Sequence, residues 1–310
     1  MTEPGAIPNQ LPFLAAVCWQ VSDVHQLTPR QMLQRYERGW HYRGVLADLE
    51  PPEAAFVDRL VAAYGSWLGD MFTLDQHQKI LTILSQLKAD LLADCQAYFG
   101  GGTWLALKYG EYRLSRDIDL LCSDQAGYLR LRRAVFDQRH RALFERTDGL
   151  DFPREVQANH YGIRFPVVVD GLSIRLEIVS EGRIALDLPE KPNWCPIAGL
   201  CEVDAAAEKL LANSDRWLDA GVLSRDLIDL AILRRQDALP AAAFTKAEAA
   251  YPVVEPLRRA IAAFQQDPEH RRRCYQGLQV KAPGQVAEGL DQLAADFDLG
   301  QTERIRLERA

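Results

Sequence analysis

Gly101-Gly102-Thr103-Trp104-Leu105-Ala106-Leu107-Lys108-Tyr109-Gly110 is followed, two residues on, by Arg113-Leu114-Ser115-Arg116-Asp117-Ile118-Asp119-Leu120. A glycine turn runs into a short helical segment, then a charged loop, then two carboxylates one residue apart. Tyr98-Phe99 ends a short strand before the glycines, and Trp104 to Lys108 suits a helix. Ile118 to Cys122 begins a second strand, with Asp117 just before it and Asp119 within it. Small residues after a strand let backbone amides approach phosphate oxygens, and a helix start adds unpaired N–H groups at a favourable dipole end. Thr103 adds a hydroxyl donor. No Gly-Lys-Ser/Thr follows, so a Walker A loop is not supported. Residues i and i+2 of a strand share a face, so Asp117 and Asp119 converge while Ile118 enters the core. Neighbouring carboxylates repel unless a cation lies between them, and Mg²⁺ with a triphosphate supplies that cation. This is the order expected of a site that holds a nucleoside triphosphate and presents it to divalent metal.

A third carboxylate completes a two-metal site, and Glu177 is the candidate. It lies amid Ile174, Leu176, Ile178 and Val179, where an unpaired charge is unfavourable. The rival, Asp170, is better used with Gly171 as the turn of a hairpin joining Gly162–Val169 to Leu172–Val179. The plainer reading of Glu177 is a partner for Arg175 or Arg164.

Around this centre the chain reads as mainly helical. Thr28 can cap a helix that opens with Pro29, and Pro51-Pro52-Glu53 opens another with Phe56, Leu60, Val61 and Tyr64 at helical spacing. Thr73 can cap a third, running from Leu74 toward Leu92. Trp40, His41 and Tyr42 read as core aromatics. Residues 126–147 suggest a helix, Pro189 to Pro196 a linker, and 203–212 and 224–235 further helices; Asp296 to Ala310 reads as a frayed tail.

The 310 residues, 48% of them hydrophobic, suffice for more than one compact unit. A net charge of −7 gives no support to a general nucleic-acid binder. Basic supply is local, in Arg130, Arg132, Arg133, Arg139, His140 and Arg141 and again in Arg271, Arg272 and Arg273. Six scattered cysteines without a CxxC pair, and six histidines, argue against structural zinc and for free thiols in a reducing compartment. Without a basic leader or a long apolar run, a cytoplasmic protein with no membrane span is expected.

The block from Gly101 to Leu120 resembles the first motif of the AbiEii/AbiGii-type nucleotidyltransferase family, a branch of the polymerase-β-like superfamily that includes toxins of abortive-infection and toxin–antitoxin systems. Glu208-Lys209-Leu210-Leu211-Ala212, then Arg216, then Arg225-Asp226-Leu227-Ile228-Asp229-Leu230 resembles that family's later helical signature. The resemblance covers roughly residues 95–235. It implies an α+β fold, a small mixed sheet flanked by helices; with the helical reading of the flanks above, this gives a helical N-terminal extension (1–94), a catalytic core (95–190) and a helical C-terminal part (191–310). It further implies Gly102 and Thr103, next to Gly101, at the phosphates, Asp117 and Asp119 as catalytic ligands of Mg²⁺, and Lys209 near the triphosphate; Glu177, read above from its setting, would complete the catalytic metal ligands. Lys209 could otherwise pair with Glu208 or Asp215. Arg113 and Ser115 order the loop before Asp117, with a phosphate contact open to Arg113. Arg225 and Asp226 match the later signature; Asp226 and Asp229 either orient Lys209 and substrate or fasten the lobes together.

The expected activity is Mg²⁺-dependent (or Mn²⁺-dependent) transfer of a nucleoside monophosphate from an NTP to a hydroxyl on RNA, such as tRNA, or on protein. A toxin with a cognate antitoxin is the expected context. The alternative is a non-catalytic nucleotide-binding module or a regulatory interaction protein.

Overall fold

The computed structural model describes residues 5–21, 23–39, 42, 46–64, 72–192 and 194–309. Trp40 and His41 lie outside them; Tyr42 is exposed. The chain forms two compact units: Met1–Thr73 with Pro192–Pro196, and Leu74–Lys191 with Ile197–Ala310.

The first unit contains α1 (Pro12–Val17), α2 (Pro29–Gly39) and α3 (Pro51–Tyr64). Thr28 Oγ1 accepts the Gln31 N–H and Gln31 Oε1 accepts the Thr28 N–H, a reciprocal cap ahead of the Pro29 turn. Phe56 and Leu60 are buried with Phe13, Leu14 and Tyr36. Glu53 sits in that apolar cluster fully hydrogen-bonded, accepting the Phe13 and Leu14 N–H groups at 3.0 and 2.8 Å and the Tyr36 hydroxyl at 2.8 Å. It thereby satisfies otherwise orphaned donors at the start of α1.

The second unit opens with α4 (Asp75–Leu84) and α5 (Ala89–Asp94), where sequence periodicity predicts one helix. The break has a tertiary cause. Lys88 donates its N–H to Leu143 O and Gln86 O accepts from Glu145, both at 2.9 Å, so these backbone groups pair laterally instead of along a helix. Leu74, not Thr73, occupies the N-cap of α4. Both helices cluster with the sheet, although the sequence places residues up to 94 in the extension.

The strands are β1 (Ala97–Gly100), β2 (Ile118–Cys122), β3 (Leu150–Asp151), β4 (Gln157–Ala158), β5 (Gly162–Val169) and β6 (Leu172–Ser180), in the order β1-β2-β6-β5-β3 with β4 beside β5. The β2–β6 pair is parallel and the others are antiparallel, so the sheet is small and mixed, in a mixed α+β fold. Asp170 and Gly171 turn the β5–β6 hairpin with φ of 47° and 78°, both positive as a two-residue hairpin loop requires. The parallel register sets Asp119 opposite Glu177.

α6 (Gly101–Lys108) links β1 to the loop before β2, and α7 (Gln125–Gln138) follows β2. Asp124 caps α7, which ends where Arg139 takes a φ of 55°, well short of the 147 expected. Beyond the sheet lie α8 (Glu202–Arg216), α9 (Arg225–Gln236), α10 (Ala241–Glu248), α11 (Val254–Gln266), α12 (Pro268–Gly277) and α13 (Pro283–Ala295). α6 packs against both α8 and α9, and so couples the glycine turn to the helical part.

The end of the chain is not frayed. Arg271 and Glu308 are both buried and ion-paired at 2.9 Å, and the Tyr275 hydroxyl donates to Glu308 Oε1 at 2.7 Å. Arg271 is therefore a fastening for the C-terminal segment and is removed from the basic surface expected at 271–273.

Candidate active site

Two glycines admit the first side chains of the site. Gly101 has φ of 68°, and a Cβ there would meet Asp119 Oδ2 at 2.5 Å. A Cβ on Gly102 would collide with Arg113 Nη2. The turn is bare because Asp119 and Arg113 occupy the space that side chains would fill. Asp117, Asp119 and Glu177 line one pocket of about 240 Å³ together with Gly101, Gly102 and Lys209. Arg113, Ser115 and Arg225 line it as well.

Burial first, and then the neighbouring Asp117 and Glu177 carboxylates, push the Asp119 carboxyl up to about 6, against the opposing pull of Arg175 and Lys209. Asp117 Oδ2 lies 3.1 Å from Arg175 Nη2. Glu177 Oε1 accepts from Arg164 Nε at 2.7 Å, and its Oε2 lies 3.9 Å from Arg175 Nε. Glu177 thus stands beside Asp119 and also meets both arginines that its plainer reading named.

Thr103 sits elsewhere than expected. Its side chain is buried, and its one hydroxyl proton goes to the Asp117 carbonyl oxygen, so Ser115 Oγ at 2.8 Å donates to it. The hydroxyl predicted for phosphate fastens the loop before β2. The same loop is held from α4: the Ser115 N–H donates to His77 Nε2 at 3.0 Å, and His77 Nδ1 faces Glu111 Oε1 at 2.8 Å. That pairing sets the neutral tautomer with its proton on Nδ1, and burial lowers the His77 pKa in agreement. Nothing in the sequence around His77 signals this role, because its partners are 34 and 38 residues away.

Lys209 is nearly buried on α8, with its ammonium 2.9 Å from Asp226 Oδ1 and 2.6 Å from Asp229 Oδ2. Arg216 binds Asp226 through Nε and Nη2 at 2.7 and 3.0 Å. Arg113 binds Asp229 through Nε and Nη2 at 2.6 and 2.8 Å, and the Tyr112 hydroxyl adds a bond of 2.6 Å. Burial raises both carboxyls, but Lys209 with Arg216 at Asp226, and Arg113 with Lys209 at Asp229, outweigh it and hold both below the usual range. Arg113 orders its loop by anchoring it to α9. Arg225, at the first turn of α9, lines the pocket without an acidic partner among the described residues.

Sequence reading missed Val179, Glu181 and Arg183. They continue the every-second-residue order of Arg175 and Glu177 and line the pocket from β6 onward. Arg183 donates to Glu181 and, at 2.8 Å, to Glu208 Oε2. Burial and the Glu181 carboxylate push the Glu208 carboxyl up to about 8. The alternation from 175 to 183 was available in the sequence; the predicted strand stopped at 179 and hid it.

Asp187, Cys201 and Asp204 form a separate group of metal-ligating types, and Lys246 bonds to both of its carboxylates. On α7, Arg132, Arg133 and Phe136 line a groove with Leu129 and Arg139, and Arg139 pairs with Glu155 at 3.1 Å. Lys108 pairs with Glu190 at 2.6 Å.

The profile of the family described as "Nucleotidyl transferase AbiEii toxin, Type IV TA system" matches residues 82–279. The chain belongs to the AbiEii family. It is a nucleotidyltransferase of that toxin family, as its two motifs imply. No protein of curated function matches it. A solved structure described as that of a candidate nucleotidyltransferase from H. pylori aligns with 71% of this chain and 92% of its own, at 17% identity and a TM-score of 0.38. No described helix of this AbiEii-family chain is long and apolar enough to cross a membrane.

Proposed function

We propose that the pocket between the glycine turn and α8 holds a nucleoside triphosphate with Mg²⁺, or Mn²⁺, and transfers its nucleoside monophosphate to an acceptor hydroxyl, with pyrophosphate leaving. The observation that carries this reading is the meeting in one pocket of Asp117, Asp119 and Glu177 with Gly101, Gly102, Lys209 and Arg225. The donor set fits a hard divalent cation: carboxylate oxygens alone, with one carboxyl raised by burial and then by its carboxylate neighbours, both of which a cation would offset. Asp117 and Asp119 would hold the metal, with Glu177 completing the set. The bound metal would supply charge stabilisation at the reacting phosphorus and its leaving group.

This chain's own residues supply the rest. The N-terminal amides of α6, at Gly101 and Gly102, would meet phosphate oxygens. Lys209 and Arg225 offer positive charge to a polyanion, and Asp226 and Asp229 fix the position of the Lys209 ammonium. Arg113, Ser115 and Thr103 keep the loop before Asp117 in one conformation, so that alignment is built in before substrate arrives.

The acceptor hydroxyl is on RNA, including tRNA, or on protein, and a cognate antitoxin is the expected partner in a cytoplasmic setting. Incubation with Mg²⁺ and each α-³²P-labelled NTP, in the presence of total RNA or of lysate protein, tests the reading. Label is expected on one acceptor class with the wild type and on none with Asp119→Asn. Equal labelling by the two proteins would remove Asp119 from the reaction.

A further inference from the structure

Arg175 occupies a position that the proposed reaction does not explain. Its guanidinium bridges two of the three carboxylates assigned to metal, with Nη2 3.1 Å from Asp117 Oδ2 and Nε 3.9 Å from Glu177 Oε2. It also lines the pocket beside Gly101 and Gly102. Its side chain remains 53% exposed, so it is held by these contacts and not by packing. Arg164 differs. It approaches Glu177 from β5, at 2.7 Å on the other carboxylate oxygen, and is not among the residues that line the pocket.

We propose that Arg175 is a two-position counter-ion. In the metal-free protein it takes the cation's place between Asp117 and Glu177; when divalent metal arrives with the triphosphate it releases them and binds phosphate oxygens. The inference rests on the reading of the pocket given above. Its physical basis is charge balance. Crowded carboxylates need a cation, and a long exposed arginine can provide one reversibly, because an exposed ion pair is weak. A divalent ion placed on the same oxygens repels the guanidinium. The nearest new anion is then the triphosphate, whose oxygens match the planar fork of an arginine.

The proposal makes metal and nucleotide respond in opposite directions to loss of this one side chain. Mn²⁺ affinity of the nucleotide-free protein is read by electron paramagnetic resonance, and Mg²⁺-NTP affinity by equilibrium dialysis, for wild type, Arg175→Gln and Arg164→Gln. Arg175→Gln is expected to tighten Mn²⁺ binding about two- to fivefold, the scale of one exposed ion pair, and to weaken NTP binding by at least as much. Arg164→Gln is expected to leave NTP affinity unchanged. If Arg175→Gln moves both affinities in the same direction, or moves neither, the counter-ion role is overturned. If Arg164→Gln weakens NTP as Arg175→Gln does, the effect runs through Glu177 and the proposal is again overturned. A wild-type protein that binds neither Mn²⁺ nor NTP would instead overturn the pocket reading itself.

Discussion

The molecule carries two sets of aspartates within reach of one pocket, and they are neutralised in opposite ways. Asp226 and Asp229 on α9 are buried against Lys209, Arg113 and Arg216, and their carboxyls are held down. At the start of β2, Asp117 pairs with one exposed arginine, Arg175, and the Asp119 carboxyl beside it is pushed up. The helix pair already owns its cations and is part of the frame. The strand pair is short of positive charge and is the part of the site prepared to receive it. On the proposed reading the contrast separates residues that hold the frame together from residues that would meet the metal, a distinction that Asp-x-Asp and Asp-x-x-Asp spacings do not make alone.

The contrast breaks most visibly on stability. Asp229→Ala leaves Arg113 and Lys209 facing each other in the interior, and should lower unfolding free energy by about 3–5 kcal/mol in denaturant titrations. Asp119→Asn should do no such damage, because it removes a repelled charge. A comparable loss from both would erase the distinction. Activity should show the converse: Asp119→Asn lowers transfer by about 10²–10³-fold while the fold is retained, the scale of one lost electrostatic contribution at a reacting centre.

Titration sharpens the comparison at smaller scale. The native protein holds the Glu208 proton up to about pH 8, whereas the unfolded chain releases it near 4.5, so wild-type stability falls as pH rises between those values. Glu208→Gln should match wild type near pH 5 and exceed it at pH 9 by about 1–2 kcal/mol in thermal or denaturant unfolding. Asp119 acts in the same sense between its unfolded 3.8 and about 6, and Asn there should flatten that part of the profile. Asp226 and Asp229 act in the opposite sense. Their lowered values give stability that is present above about 3.8 and lost as acid approaches their native values. An acid limb as steep in Asp229→Asn as in the wild type would contradict the assignment of Asp229 to the frame.

What the sequence made legible was local. The glycine turn, the Asp-x-Asp strand and the Asp170-Gly171 hairpin each announce themselves within a few residues, and the structure forms all three elements. What it concealed was fixed by distant partners. Helical periodicity runs unbroken through Gln86 and Lys88, whose backbones pair with residues 143–145. Glu308 looks like part of a polar tail until Arg271 is set beside it. Thr103 reads as a phosphate donor because its proximity to the Asp117 carbonyl depends on how the loop returns. Arg175 was seen only as a partner for Glu177; its second contact, to Asp117, follows from the parallel register of β2 and β6.

The most direct test of the central claim is anomalous diffraction from crystals soaked with Mn²⁺ and a non-hydrolysable NTP. The account predicts a manganese peak on the carboxylates of Asp117 and Asp119, with Asp226 and Asp229 still bound to Lys209. A peak confined to the Asp187, Cys201 and Asp204 group, or one on the α9 aspartates, would contradict it.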